Sequence, residues 1–221
     1  MIALTRDLIA GWRSHLLRHR LSYGIGALAL LALCGVIVPR DEAWVAAISA
    51  DRTEPMLSIA RWFSRWGDLT GTVIVAGGLA LAAWVRGNAR WARTAWALIL
   101  AAVLAGVAVN VPRVLLGRPR PVSPLPDGFY GPSLDFKLHS FPSAHAGTAS
   151  ATAAVLIASL PVLGVPVAIA AGGVLWSRMH RRRHHLTDVV VGGFIGAVFG
   201  IGLGRSARRS GNERDRGRPR Q

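Results

Sequence analysis

The chain has 221 residues, 52% of them hydrophobic, with a mean hydropathy of +0.38 and a formal net charge of +15. That length admits a single domain, and the apolar content is too high for an ordinary soluble one. The charge would suit a nucleic-acid binder, but the arginines cluster between long uncharged stretches and do not line one polar face, so nucleic acid is not an expected partner. Cys34 is the only cysteine, which excludes an intrachain disulfide and a cysteine-rich metal site.

In chain order, Arg6, Arg13, Arg18 and Arg20 precede a charge-free run over residues 21–39. A basic start before an apolar run has the form of a signal peptide. At 19 residues, however, the run is longer than a usual signal core, and no A-x-A cleavage pattern follows it, so a retained first span is expected. Further charge-free stretches cover residues 69–85, 94–112, 146–176 and 189–204. The stretch 146–176 is 31 residues long with Pro161, Gly164 and Pro166 at its middle, which predicts two short helices joined by a tight turn there. The alternative, one long kinked helix, would put the polar segments before and after it on opposite sides of the membrane.

The expected fold is therefore all-α: one polytopic membrane domain over residues 1–221 with six transmembrane helices. Six spans bring both termini and the loop 86–93 to one side with 14 of the 26 basic residues, and the positive-inside rule makes that side cytoplasmic. Residues 43–67 mix charge with Met56, Ala60, Phe63 and Trp66 at helical spacing and predict an extracytoplasmic interfacial helix. Trp44, Trp62, Trp66, Trp84, Trp91 and Trp176 fall at span ends, where tryptophan anchors at headgroup level. Gly192, Gly196, Gly200 and Gly204 recur every four residues and predict a smooth helix face for close packing within the molecule. The basic tail, residues 206–221, is expected to be disordered against anionic headgroups, or to act simply as a topology anchor.

Three polar clusters fall on the same predicted extracytoplasmic side, each beside a span: RVLLGRPRP over 113–121, FPSAH over 141–145, and SRMHRRRHHLTD over 177–188. Ionisable groups at membrane level are costly and by default mark a functional site. Taken singly, each has a bland reading as well, with Arg113, Arg118 and Arg120 as snorkelling anchors, His145 as a helix-start residue and Arg181, Arg182 and Arg183 as a solvated loop.

Together the clusters resemble the three-part signature of the type 2 phosphatidic acid phosphatase superfamily, which also includes vanadium haloperoxidases and bacterial acid phosphatases. Its pattern, K-x6-R-P, then P-S-G-H, then S-R-x5-H-x3-D, is met by Arg113, Arg120 and Pro121, by Pro142, Ser143, Ala144 and His145, and by Ser177, Arg178, His184 and Asp188. The motif-bearing core covers about 110–205. Two positions depart from the pattern. Arg113 stands for a lysine, keeping the charge but widening the donor fork, and Ala144 stands for a glycine.

The resemblance implies a membrane lipid phosphatase acting through a phosphohistidine. Arg113, Arg120 and Arg178, with the Ser143 hydroxyl and the amide at Ala144, would cradle the phosphoryl oxygens. His184 would attack phosphorus, Asp188 would orient its other ring nitrogen, and His145 would protonate the leaving oxygen and then activate water. His139, His180 and His185 compete with His184, which is preferred because Asp188 lies four residues on. No metal or cofactor is expected, and the partners are a lipid phosphate and the membrane lipids. The best-fitting substrate is undecaprenyl pyrophosphate, with Arg181 to Arg183 holding the second phosphate. The alternatives are phosphatidic acid or phosphatidylglycerol phosphate, or a non-catalytic transporter or scaffold on the same fold. Phe129, Tyr130 and Phe136 in the aperiodic loop 122–140 are candidate lid residues.

Overall fold

A computed structural model describes residues 1–216, with side chains for residues 1–209. The elements are α1 (Ile2–Arg18), α2 (Arg20–Ile37), a 3-10 turn (Val38–Arg40), α3 (Asp41–Ile48), α4 (Glu54–Trp66), α5 (Leu69–Val85), α6 (Ala89–Leu116), a second 3-10 turn (Phe136–Leu138), α7 (Ala144–Ser159), α8 (Pro161–His180) and α9 (Leu186–Arg216). Among the described residues no strand forms, and one isolated parallel bridge joins Arg118 to His139. The molecule is an all-α membrane protein. Four stretches are long and apolar enough to cross a bilayer: Arg20–Ile48, Ala89–Leu116, Pro161–His180 and Leu186–Arg209. The pair α4–α5 passes the same test when its two helices are taken together, although they are bent by 62°. At 16 residues, α7 is shorter than the roughly 20 a span needs.

α7 lies at the centre, packed on α6, α8 and α9. Its sequence explains this position: Ala146, Gly147, Ala149, Ala151, Ala153 and Ala154 present almost no side-chain bulk, so neighbouring backbones approach closely. The glycines of α9 supply the other half of that contact. A Cβ at Gly192 would strike the Ser143 carbonyl, one at Gly196 the Gly147 carbonyl, one at Gly200 the Ala151 carbonyl and one at Gly204 the Val155 carbonyl. The four-residue repeat is therefore an intramolecular seam, as expected.

Local chemistry sets the helix ends. The Asp68 carboxylate accepts from the Thr70 amide at 2.9 Å to start α5, and the Asn88 side chain accepts from the Trp91 amide at 3.1 Å to start α6. α6 closes on Gly117 at φ +57°, in the left-handed region that favours glycine.

Three details differ from expectation. The break in the long apolar stretch falls at Leu160 and Pro161, with Pro161 opening α8 at its first position, so Gly164 and Pro166 lie inside α8 instead of forming the turn. Gly164 is still needed there, because a Cβ would strike the Ile157 backbone amide as α8 folds back on α7. The single interfacial helix is two, α3 and α4, separated by residues 49–53. The helix of the last span runs through Arg216, well past Arg205, and Ser206 and Ala207 are buried; residues 217–221 of the expected tail lie outside the described residues.

The N-terminal residues are also more than a charged leader. α1 packs on α9, Leu8 is fully buried in the main core beside Leu98, Val155 and Leu203, and Trp12 stacks on Phe199 at 5.2 Å. By contrast α2 buries only Ile37, leaving Leu21, Ile25, Leu28 and Leu31 to face lipid.

Candidate active site

The three sequence clusters meet at one end of the bundle, where α6 ends, α7 begins, and the short loop 181–185 joins α8 to α9. The Ser143 amide donates to the Asp188 carbonyl at 2.9 Å, tying the second cluster to the third, and the Arg113 guanidinium donates to the Pro142 carbonyl at 2.9 Å, tying the first to the second.

His184 is buried, and its Nδ1 donates to the Ser140 carbonyl at 2.7 Å. A carbonyl can only accept, so Nδ1 carries the proton and the neutral ring keeps its lone pair on Nε2. Burial lowers the pKa of His184 to about 4, against the upward pull of Asp188 and with the help of the positive Arg178 and Arg113. The imidazole is thus neutral at neutral pH, with a defined tautomer.

Asp188 is fully buried and well occupied. Its Oδ1 accepts from Arg118 at 2.7 Å, and its Oδ2 accepts from the Ser140 hydroxyl at 2.5 Å and from the His185 amide at 2.8 Å. The expected contact to His184 is longer than a hydrogen bond: Nδ1 lies 3.6 Å from Oδ2, and the Ser140 carbonyl takes its proton instead. His185 Nδ1 stands 3.5 Å from the same oxygen, so spacing from the aspartate does not separate the two histidines. Their surroundings do, because His184 feels Arg178 and Arg113 whereas His185 Nε2 turns to Asp127 at 3.9 Å. His139 Nε2 donates to the Ser133 carbonyl and His180 Nδ1 to the Ile48 carbonyl, both at 2.9 Å. Those two rings brace loops.

The cationic residues divide into two kinds. Arg118, grouped with the snorkelling anchors by sequence, has a side chain only 2% exposed and sits at the hub of a buried ionic cluster. It donates to Asp188 and Thr187 at 2.7 Å each, to Asp41 at 2.9 Å, and to both oxygens of Asp127 at 2.6 and 2.8 Å. Burial opposes its charge, but the hydrogen bonds and charges of Asp127, Asp188 and Asp41 prevail and raise its pKa. Phe129 lies over its guanidinium at 5.7 Å and against Phe141 at 5.5 Å, so this candidate lid residue is held in place, while the Tyr130 hydroxyl donates to the Pro126 carbonyl and Phe136 is largely exposed.

Arg120 and Arg178 are of the second kind. Each has a buried Nε without a partner among the described residues. Burial and the nearby charge of Arg183 lower the pKa of Arg120, as expected where cations are gathered without matching carboxylates. Arg178 is anchored by one bond to the Ser64 hydroxyl on α4. Desolvated guanidinium groups with unused donors are chemically suited to hold an anion.

Ser143 is fully buried, and its hydroxyl accepts from the Ala146 amide at 3.4 Å as the N-cap of α7. The amides of Ala144 and His145, in the first turn, have no partner within the helix and sit at its positive end. His145 and Arg113 line an apolar groove of about 850 Å³ that follows α6 beside the starts of α5 and α7, with Leu69, Val103, Val107 and Val111 in its walls. The groove exists because the α4–α5 bend passes close to α7: a Cβ on Gly67 would meet Val174 and approach His145 Cδ2 to 3.3 Å, and Thr148 donates to the Gly67 carbonyl at 2.6 Å.

Asp41, Asp127, Ser140 and Thr187 were not singled out by sequence. Asp41 follows the first span at once in a chain with only 11 acidic residues, and that was the available signal. Ser140 and Thr187 fall beside or in the motifs without being signature positions, and Asp127 lies in the aperiodic loop between the first two.

A helical membrane bundle with a buried, neutral histidine facing desolvated arginines defines a membrane-embedded hydrolase of phosphoric esters. The chain belongs to the PAP2 superfamily, whose family model matches residues 94–211. The transmembrane PAP2-type phosphatidylglycerolphosphate phosphatase of Bacillus subtilis superposes with a TM-score of 0.61 at 20% identity, covering 90% of this chain and 98% of that one. LpxE of Aquifex aeolicus superposes with a TM-score of 0.52 at 21% identity, covering 72% of this chain and 91% of that one. No curated protein matches the sequence significantly.

Proposed function

We propose that the protein is a lipid phosphatase in which His184 carries the phosphoryl group. The observation that supports this most is the tautomer of His184: with its proton held by the Ser140 carbonyl, the Nε2 lone pair is the one free to attack phosphorus. In the first step the Nε2–P bond forms, the bond from phosphorus to the leaving oxygen breaks, and His145 gives that oxygen its proton. In the second step His145 takes a proton from water, the water oxygen bonds to phosphorus, and the Nε2–P bond breaks to release phosphate. Arg113, Arg120 and Arg178, with the amides of Ala144 and His145, receive the charge on the equatorial oxygens. Asp188, 3.6 Å from His184 Nδ1, balances the positive ring of the intermediate and holds Ser140 in place.

The apolar groove that His145 and Arg113 help to line favours a phosphate carried on a long hydrocarbon chain. Within that class the reading is a polyprenyl pyrophosphate such as undecaprenyl pyrophosphate. Arg183, close enough to perturb Arg120, and Arg181 would hold the second phosphate. Phosphatidylglycerol phosphate is the competing substrate, on the activity by which the Bacillus subtilis neighbour is described.

Phosphate release by purified protein in detergent from a polyprenyl pyrophosphate, phosphatidylglycerol phosphate and phosphatidic acid decides among these. His184→Ala should lose turnover by at least ~10³-fold and trap no acid-labile phosphate on the protein, whereas His185→Ala keeps the backbone amide that serves Asp188 and should stay within about tenfold. Exchanging both Arg181 and Arg183 for Gln should lower kcat/KM more for the pyrophosphate than for a monophosphate. A phosphoryl group found on His185 would refute the nucleophile assignment, and a preference of the unmodified enzyme for phosphatidic acid would refute the polyprenyl one.

A further inference from the structure

At the opposite end of the bundle, α1 crosses α9 so closely that a Cβ on Gly11 would strike the Ser206 hydroxyl. Arg205 lies 17 residues after Asp188, so this crossing is ~26 Å along α9 from the candidate active site. Beside it opens a cavity of about 180 Å³ lined by Asp7, Ser14, His15, Arg18, Arg205 and Arg209. The formal charge of its lining is positive, from three arginines against one aspartate. Among the described residues Asp7 makes no ion pair within 4.0 Å.

His15, only 4% exposed, decides what such a cavity holds. Its Nε2 lies 3.1 Å from the Tyr23 hydroxyl and 3.4 Å from Arg205 Nη1. A guanidinium can only donate, so Nε2 is the acceptor and the neutral ring carries its proton on Nδ1. That Nδ1 is buried and has no hydrogen-bond partner among the described residues. A buried donor left open is uncommon in folded proteins, and His15 lines a concave, cationic site sized for a small anion. Burial and the charges of Arg205, His19, Arg209 and Arg18 lower the His15 pKa to about 4, so the ring is itself uncharged and its Nδ1 donor is what lacks an acceptor.

We propose that this α1–α9 cavity binds a phosphate-class anion, with His15 Nδ1 donating to one oxygen and Arg18, Arg205 and Arg209 enclosing the others, and that the bound anion locks α1 onto α9. Two sources share that chemistry: the headgroup of an anionic phospholipid in the adjoining leaflet, and free inorganic phosphate.

The test is thermal unfolding of the full chain in neutral detergent with added short-chain phosphatidylglycerol, a diester that a phosphomonoesterase does not consume, and separately with inorganic phosphate. Short-chain phosphatidylcholine and sodium chloride at equal ionic strength are the controls. The unmodified protein is compared with the double exchange R18Q/R209Q and with His15→Phe, which keeps an aromatic ring against Tyr23 but removes the donor. Anion binding at the catalytic cluster is common to all three proteins and cancels in the comparison. Hydrolysis of a short-chain lipid phosphate at an unchanged rate certifies the fold of each variant, and His15→Phe carries the test if the arginine variant does not fold.

At ten times Kd the anion should raise the midpoint of the unmodified protein by about 3 °C, and either exchange should remove most of that rise. A rise with phosphatidylglycerol alone identifies a headgroup site, a rise with phosphate alone a free-anion site, and a rise with both a site open to either. Absence of any rise, or an equal rise in both variants, would overturn the proposal.

Discussion

At the residue scale the most informative side chain is Arg118. Its guanidinium neutralises Asp41 and Asp188, whose side chains have 0% exposure, and it thereby links the end of the first span to the third motif. Removing one partner of a buried ion pair leaves uncompensated charge, which costs about 3–5 kcal/mol. Arg118→Ala should therefore lower the unfolding midpoint in detergent by at least ~8 °C, whereas Arg120→Ala, whose Nε has no partner, should leave the midpoint within a few degrees and lose activity instead.

His184 gives a pH dependence whose sign can be worked out. Its pKa is about 4 when folded and near 6.5 when unfolded, so between those values the unfolded chain binds more protons and stability falls as the pH is lowered. Above pH ~6.5 the neutral ring imposes no such penalty, and the slope between the two values approaches one proton, or about 1.4 kcal/mol per pH unit. Midpoints measured from pH 7 to 4 should drop more steeply for the unmodified protein than for His184→Gln; parallel curves would mean that His184 is not held neutral.

At the scale of the elements, the seam between α7 and α9 rests on the absence of side chains. The backbone-to-backbone approach at Gly196 leaves no room for a methyl group, and overpacking typically costs about 1–3 kcal/mol. Gly196→Ala should lower the unfolding midpoint by ~5 °C and reduce turnover, since α9 also positions Asp188. Gly78 on α5 is the internal contrast, because nothing lies within 4 Å of a Cβ built there. Gly78→Ala should be neutral or stabilising by up to ~1 kcal/mol through helix propensity. Equal losses in the two variants would show that the seam is looser than its geometry implies.

At the scale of the whole molecule, six crossings by α2 and α5 to α9 would place the candidate site and both its loops on the extracytoplasmic face, with the termini inside. In a Cys34→Ser background, cysteines at Leu134 and Arg182, both exposed near the site, should react with an impermeant thiol reagent in intact cells. A cysteine at Arg86, in the turn between α5 and α6, should react only once the membrane is opened. The reverse pattern would invert the orientation.

Much of this architecture was legible along the chain because bilayer thickness and motif spacing are both one-dimensional. Charge-free runs announce spans, and the glycine repeat on α9 announces a packed face whatever its partner turns out to be. The positions of Arg113, Arg120, His145, Arg178, His184 and Asp188 likewise follow from local order. What only the tertiary structure decided are the partners across the bundle. Arg118 and Arg120 are two residues apart and alike in sequence, yet one is saturated by three aspartates from three different segments and the other is left with an open donor. The proton of His184 goes to the carbonyl of Ser140, 44 residues earlier, and not to the aspartate one helical turn on. α1, a basic leader by composition, is fastened to the far end of α9 through Leu8 and Trp12. Burial and hydrogen-bond partnership depend on distances that close only on folding, so identical residue types at neighbouring positions acquire different partners and roles.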